Sequence, residues 1–509
     1  MNGLAKQDAL ELEVANFGPI VEAKIDLRPL TVFVGPSNTG KSYLAILIYA
    51  LHRFFEAGPY PIERPVTGPI SQFLKGEEPY FHLPGAEFDR ILQALREWEV
   101  ENHERGAALS APVVDLVLPL LRDVDGFKEV LDEEITRCFG VDGTKNLIRH
   151  SGSNKAEVTL QSSGLGEGAN TAPFKYALAM TRTGPQLITV IPEGAPLRVE
   201  ESPKRYGYSS RFLSWRDDID RRAGVWEVSQ NLANSVLSFI LGPMSRPAHY
   251  LPADRTGIMH AHRVLLGSLL NRASQPGLRQ GDPLPDLSGV VTDFLKQLIE
   301  LGDLAERQSN KADALAKRIE QAILTGSVQI KTSEMGYPQF FYKPDGWKNA
   351  LPLMNTSSMV SELAPIVLYL RHVVQPGETL IIEEPEAHLH PAMQVEFIRQ
   401  IAAIVHAGVR VIVTTHSEWV LEELGNIVQR SKLPEARRKK IPQGDFALRP
   451  DQVGAWLFKP KLRPRGSVVK EIKLDEETGL YPTDYDDVSL ALYNDSVDIF
   501  NRIQARNTQ

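Results

Sequence analysis

From Leu10 the chain alternates apolar and polar residues through LELEV and AKIDL, then closes into the unbroken apolar run LTVFV, which ends at Gly35. Alternation marks a strand with one buried face, and a short continuous apolar run marks a strand buried on both. Apolar positions then recur at helical spacing in SYLAILIYALHRFF. The opening therefore predicts two or three strands, a glycine loop and a helix. Toward residue 330 the alternation of elements resumes: strands in VQIKT and QFFYK, a helix through SELAPIVLYLRHVV, strand TLIIEE, helix PAMQVEFIRQIAAIV, strand VRVIVTT and helix SEWVLEEL. Apolar strands alternating with helices at both ends of a chain predict an α/β fold whose sheet is completed by distant segments.

Between these ends the pattern is mixed. FDRILQALREWEVENHE and FKEVLDEEITRCF read as helices, EVTLQ, KYALAMT and QLITVI as strands, and YLPADRTG as a strand end. A linker rich in Pro and Gly over 275–289 precedes a single long helix from Asp293 to Gly326. No repeat of fixed period is visible. The expected organisation is a first segment over 1–60, a large helical and β insertion over 61–329, a third segment over 330–425 that completes the first, and a C-terminal region over 426–509.

Composition narrows the class. With 509 residues, 42% hydrophobic and 24% charged, the chain is globular, and a net charge of -8 argues against a histone-like coat for nucleic acid. The single cysteine, Cys138, excludes an internal disulfide and a multi-cysteine zinc site. No apolar run approaches the roughly 20 residues of a membrane span, so a cytoplasmic protein without a membrane partner is expected. Charge is unevenly placed: 13 bases against 4 acids over 426–473, then 8 acids against 2 bases over 474–509. Trp456 and Phe458 beside Lys459, Lys461, Arg463 and Arg465 fit either a phosphate backbone such as DNA or an acidic protein partner, and a pair of solvated faces is the plainer alternative.

Three strand ends carry chemistry. Residues 35–42 read GPSNTGKS, a full GxxxxGKS after an apolar strand and before a helix. Gly35, Pro36, Ser37, Asn38, Thr39 and Gly40 would wrap a nucleotide phosphate, Lys41 would reach the β and γ phosphates of ATP, and the Ser42 hydroxyl would bind Mg²⁺. TLIIEE delivers two carboxylates at the C-terminal end of a buried strand, with Glu383 suited to Mg²⁺ and Glu384 to polarising the attacking water. VRVIVTTHS ends at His416, placed to sense a γ phosphate. Ser357 and Ser358 open the helix SELAPIVLYL, where hydroxyls and free amides face an anion. His388 and His390 lack the helical spacing of a zinc pair. The GLGEG loop at 164–168 has no helix pattern after it. Neither Glu471 with Lys473 nor Asp484 with Asp486 has the partner acids of a nuclease.

The ordered set GPSNTGKS, SSMVSEL, LIIEEPEAHLHP and VTTHS resembles the ABC-type ATPase heads of the overcoming-lysogenization-defect and RecF-like group, which includes SMC heads. It is most similar to AAA-family ATPase subunits of bacterial phage-defence systems. The likeness covers roughly 1–55 and 330–425, and YLPADRTG more loosely. It implies an ABC-type P-loop head with a mixed sheet flanked by helices. It also implies a homodimer or higher homo-oligomer in which two heads sandwich two ATP molecules, Ser357 and Ser358 of one head reaching the nucleotide of the other. The protein would then be a sensor or regulatory subunit that controls a separate effector protein; the alternatives are a DNA-repair or chromosome-maintenance ATPase that clamps DNA and a slow-turnover, ATP-bound scaffold that sequesters a partner. The chain departs from the pattern at Met359, where a glycine is usual after the serine. By residue type, Asn38 and Arg255 are further nucleotide-site candidates.

Overall fold

A computed structural model describes residues 10–56, 93, 124–149, 153–162, 174–190, 242–273, 287–305, 312–332, 337–441, 443–473, 479–480, 491 and 493–500. Strands β1 (Leu10–Phe17), β2 (Ile20–Asp26) and β3 (Leu30–Val34) lead through the glycine loop into helix α1 (Lys41–Phe55). Helix α2 (Val124–Phe139) and the meander β4 (Lys155–Ser162), β5 (Phe174–Thr181) and β6 (Gly184–Val190) follow. Next come β7 (Ala248–Leu251), α3 (Arg255–Ala273), α4 (Gly289–Ala305) and α5 (Asp313–Ile319). A small sheet is built from β8 (Gly326–Thr332), β9 (Pro338–Pro344) and β10 (Leu351–Pro352). The chain continues through α6 (Ser358–His372), β11 (Thr379–Glu383), α7 (Pro391–His406), β12 (Arg410–Thr415), α8 (Glu418–Ser431) and the short α9 (Glu435–Arg438). The hairpin β13 (Val453–Leu462) and β14 (Arg465–Glu471) comes after them.

Eleven strands form one sheet in the order β6-β5-β4-β1-β2-β14-β13-β3-β12-β11-β7. From β7 to β13 every neighbour is parallel, while β1, β2, β4, β5 and β6 form an antiparallel meander. Strands β13 and β14 join the halves, antiparallel to each other and parallel to β3 and β2 respectively. The fold is thus α/β, a mixed sheet with helices packed on it. Among the described residues no helix is long and apolar enough to cross a membrane.

The period of two along each central strand divides the core. Leu30, Val32 and Val34 of β3 face one cluster with Leu380 and Ile382 of β11, Val411 and Val413 of β12, and helices α6, α7 and α8. Phe33, Ile381 and Ile412 face the other cluster, with Leu44, Ile48 and Phe54 of α1. Because both faces are covered, these strands read as continuous apolar runs, as expected for the parallel part of a sheet.

Two expectations need correction. The stretch from Asp293 to Gly326 is not one helix: α5 starts afresh at Asp313, and a π-helical turn over Glu320–Leu324 ends at Thr325, whose φ of 51° is left-handed. A left-handed, β-branched residue stops a helix, and here it feeds β8 directly. Trp456 and Phe458 are not surface groups available for stacking. They lie 5% and 0% exposed on the inner part of β13, leaving Lys459, Lys461, Arg463 and Arg465 at the exposed hairpin tip. Of the helix expected at FDRILQALREWEVENHE only Gln93 is described, and it is helical; the GLGEG loop and Asp484 with Asp486 fall outside the described residues.

The Phe458 ring packs edge-on against Phe33 of β3, with centroids 5.5 Å apart. If β13 is a structural member of the sheet, Phe458→Ala should cost about 3–5 kcal/mol in urea unfolding, the usual range for truncating a buried aromatic. A loss below about 1 kcal/mol would mean that the hairpin is an appendage.

Candidate active site

The loop after β3 takes its shape from its neighbours. Gly35 has φ 141° and Gly40 φ 99°, both in the region that disfavours side chains. A Cβ on Gly35 would lie 2.6 Å from the Phe458 carbonyl oxygen, and one on Gly40 would lie 2.8 Å from Ile20 and Pro19. Between them Pro36, Ser37 and Asn38 arch outward and are exposed, and Asn38 adopts φ 61°. The arch is pinned on its inner side, where Thr39 Oγ1 donates to the Pro36 carbonyl at 2.8 Å and Ser467 Oγ donates to the Thr39 carbonyl at 2.5 Å.

Lys41 opens α1 and is buried, its ammonium donating to the Gly35 and Pro36 carbonyls at 2.9 Å each. Burial pulls this ammonium down to about 8, opposed by the charges of Glu384, Glu386 and Glu383. The lysine thus spans its own loop. The next residue, Ser42, is exposed in the first turn of α1, and its hydroxyl helps to lower the Glu383 carboxyl.

Glu383 is the last residue of β11 and is 7% exposed. Its Oε2 accepts the Ala253 amide at 3.2 Å, whereas Oε1 is buried without a hydrogen-bond partner. Burial pushes this carboxyl up, while the Ser42 hydroxyl, the Ala253 amide and the Tyr250 hydroxyl pull it back. A partnerless carboxylate oxygen beside a serine hydroxyl is an oxygen-only, acidic donor set, which suits a hard divalent cation such as Mg²⁺.

Glu384 turns out of the strand with φ 42°, held by its amide, which donates to the Thr414 carbonyl at 3.0 Å. The turn brings its Oε1 to 3.1 Å from His416 Nε2 at the end of β12. That ring nitrogen lowers the carboxyl below its usual range, burial opposes the shift, and the charges of His416, Lys41 and Arg255 add to it. Glu386 fixes the histidine: its buried Oε1 accepts Thr415 Oγ1 at 2.6 Å and the His416 amide at 2.7 Å.

The structure therefore gathers Lys41, Ser42, Glu383, Glu384 and His416 at one edge of the sheet. It does not bring Ser357 and Ser358 to them. Ser357 caps α6, accepting the Val360 amide at 3.4 Å, and both serines are exposed at that helix end. Among the described residues no His, Cys, Asp and Glu group forms a metal cage, and His390 instead caps α7 by accepting the Ala392 amide at 3.3 Å. Arg255, fully buried, donates to backbone carbonyls and not into the loop. Glu386 and Glu362 were missed from sequence. The only signal for Glu386 was a third carboxylate three residues past the strand end, and Glu362 had none, since a glutamate inside a helix is ordinarily exposed.

Residues 280–421 match the family described as "AAA ATPase domain". That span runs through α6, β11, β12 and the start of α8 and leaves out the loop at 35–42. A comparison with curated proteins yields no match. Among solved structures, the chain is similar to an Smc head bound to the C-winged helix domain of ScpA, at 12% identity and a TM-score of 0.38, covering 92% of this chain and 98% of that one. It is likewise similar to the SMC head domain from Thermotoga maritima, at 12% identity and a TM-score of 0.33, covering 92% and 100%. The family match places an AAA-type ATPase sequence over the segment that supplies Glu383, Glu384 and His416.

Proposed function

We propose that this protein binds ATP with Mg²⁺ at the loop between β3 and α1 and hydrolyses it. The observation that carries the reading is that the loop after β3 and the ends of β11 and β12 converge: Glu384 Oε1 lies 3.1 Å from His416 Nε2, and Lys41 at the start of α1 lies in the field of Glu383, Glu384 and Glu386. The match to an AAA ATPase domain supports it.

Each residue then has a task. Lys41 exchanges the Gly35 and Pro36 carbonyls for the β and γ phosphates, a closer match for its charge. The amides of the exposed arch and the N-terminus of α1 take up the remaining phosphate oxygens. Ser42 and Glu383 would hold Mg²⁺, which neutralises charge on the transferring phosphoryl group. Glu384, kept ionised by His416, accepts a proton from the attacking water, and His416 is then free to turn to the γ phosphate.

The same reading extends to assembly. Ser357 and Ser358, exposed at the start of α6, are suited to the nucleotide of a second copy, so ATP would close two heads together. By the resemblance of its motif set, the protein would serve as the sensor or regulatory subunit of a phage-defence system and control a separate effector. A second reading, an ATPase that clamps DNA, is favoured by the exposed Lys459, Lys461, Arg463 and Arg465 at the hairpin tip.

Lys41→Ala should weaken ATP binding by about tenfold or more, whereas Glu384→Gln should bind ATP normally and lose hydrolysis by about a hundredfold. Binding of a fluorescent ATP analogue and phosphate release separate the two. Equal loss of affinity in both variants would sink the division of roles.

Assembly is read by light scattering. Glu384→Gln should accumulate paired heads when ATP is added. Ser358→Arg should abolish both pairing and turnover, because it sets bulk and charge against the partner's phosphates. Wild-type turnover in Ser358→Arg would count against a shared site.

The hairpin tip separates the two biological readings. Exchanging Lys459, Lys461, Arg463 and Arg465 for Glu should leave basal ATPase unchanged. If the tip grips a phosphate backbone, the exchange should also remove salt-sensitive retention of duplex DNA in a gel. Retention that survives the exchange would eliminate the DNA contact.

A further inference from the structure

Arg255 is the first residue of α3 and, among the described residues, the largest side chain that is wholly buried. Its guanidinium reaches four backbone carbonyls: Nη1 donates to Pro252 at 3.1 Å and Glu383 at 2.5 Å, Nη2 to Glu384 at 3.2 Å, and Nε to Glu362 at 3.2 Å. It also pairs with the Glu362 carboxylate, which is 1% exposed and accepts the Thr256 hydroxyl as well. Glu362 lies in the first turns of α6, on the helix that Ser357 and Ser358 begin. One planar cation thus ties both peptides of the Glu383–Glu384 turn to α6.

We propose that Arg255 is a positioning residue that sets the Glu383–Glu384 turn according to where the start of α6 stands. Holding two successive carbonyls fixes the peptide planes on either side of Glu384, whose left-handed backbone aims its carboxylate at His416. A second clasp acts on the same turn, since the Ala253 amide, two residues before Arg255, binds Glu383 Oε2. A shift of α6 displaces Glu362 and, through its buried ion pair, Arg255. Burial makes this link stiff: neither charge can be released to water without leaving the other uncompensated. Lysine could keep the charge but not the fork, because an ammonium lacks the fixed coplanar donors that span two carbonyls and a carboxylate. Where α6 of one head meets the nucleotide of another, occupancy at the shared phosphate would be reported to the glutamates of the head that owns α6.

This inference rests on the ATPase reading and goes beyond it. Arg255→Lys keeps the charge and should lower kcat by about tenfold to a hundredfold, the scale of an ångström-level misplacement at a reacting group, with the KM for ATP changed less than about threefold. The double variant Arg255→Met with Glu362→Leu removes both charges together and should fold, bind ATP and show the same loss. Thermal melting checks its fold, and if it does not fold, Arg255→Lys decides alone. In nucleotide-free protein, amide hydrogen exchange over Glu383–Glu386 should quicken in Arg255→Lys, a readout independent of turnover. A rise in KM with kcat intact would overturn the proposal, as would unchanged kcat together with unchanged exchange. Absence of turnover in the wild-type protein with MgATP would instead overturn the hydrolysis reading, and the exchange measurement would then decide the role of Arg255.

Discussion

The site is governed by an excess of acid, most of it buried. Glu362, Glu383 and Glu386 are buried, and Glu384 stands beside them, against the two cations Lys41 and Arg255. A buried carboxylate is tolerated only when paired or hydrogen-bonded, and these are satisfied in graded fashion. Glu362 has a cation, and Glu386 has a hydroxyl and an amide on one oxygen. Glu384 has a histidine, and Glu383 keeps one oxygen without a donor. Phosphates alone would be repelled by such a cluster. On the proposed reading, a nucleotide arriving with a divalent cation would supply the positive charge the cluster lacks, and the acidic edge and the loop after β3 would act as one site.

The sheet is mixed because its two halves do different jobs. Parallel strands place their C-terminal ends on one edge, and β3, β11 and β12 use that edge to bring Lys41, Glu383 and His416 together from remote parts of the chain. The antiparallel meander gathers no residue of the site. It extends the hydrophobic layer under α1 and α2, with Leu12, Val14, Val158, Leu160 and Met180 among its buried residues.

Much of this was legible in the sequence because the signals were local. LTVFV, TLIIE and VRVIVTT are each dominated by apolar residues since they are covered on both faces, and the loop after β3 announces itself by glycines whose φ values no other residue adopts comfortably. What stayed hidden depends on remote partners. VGAWLFKPKL begins apolar and ends in lysines, so its charge drew attention to a surface, while its first six residues are buried between β3 and β14. Arg255 drew attention by residue type as a nucleotide-site candidate. Only the fold shows its guanidinium occupied by carbonyls and Glu362, since a side chain's hydrogen-bond partners leave no mark on local periodicity.

The insertion of β13 beside β3 also sets a timetable for synthesis. While the ribosome is still making the middle of the chain, LTVFV has both hydrogen-bonding edges unfilled, because β12 and β13 are its partners on either side. An open apolar edge invites pairing with other chains, so the nascent protein depends on shielding for most of its translation. Products truncated before Val453 would carry the whole GPSNTGKS motif without the strand that backs Gly35. They would fail as nucleotide competitors despite possessing every residue of the loop.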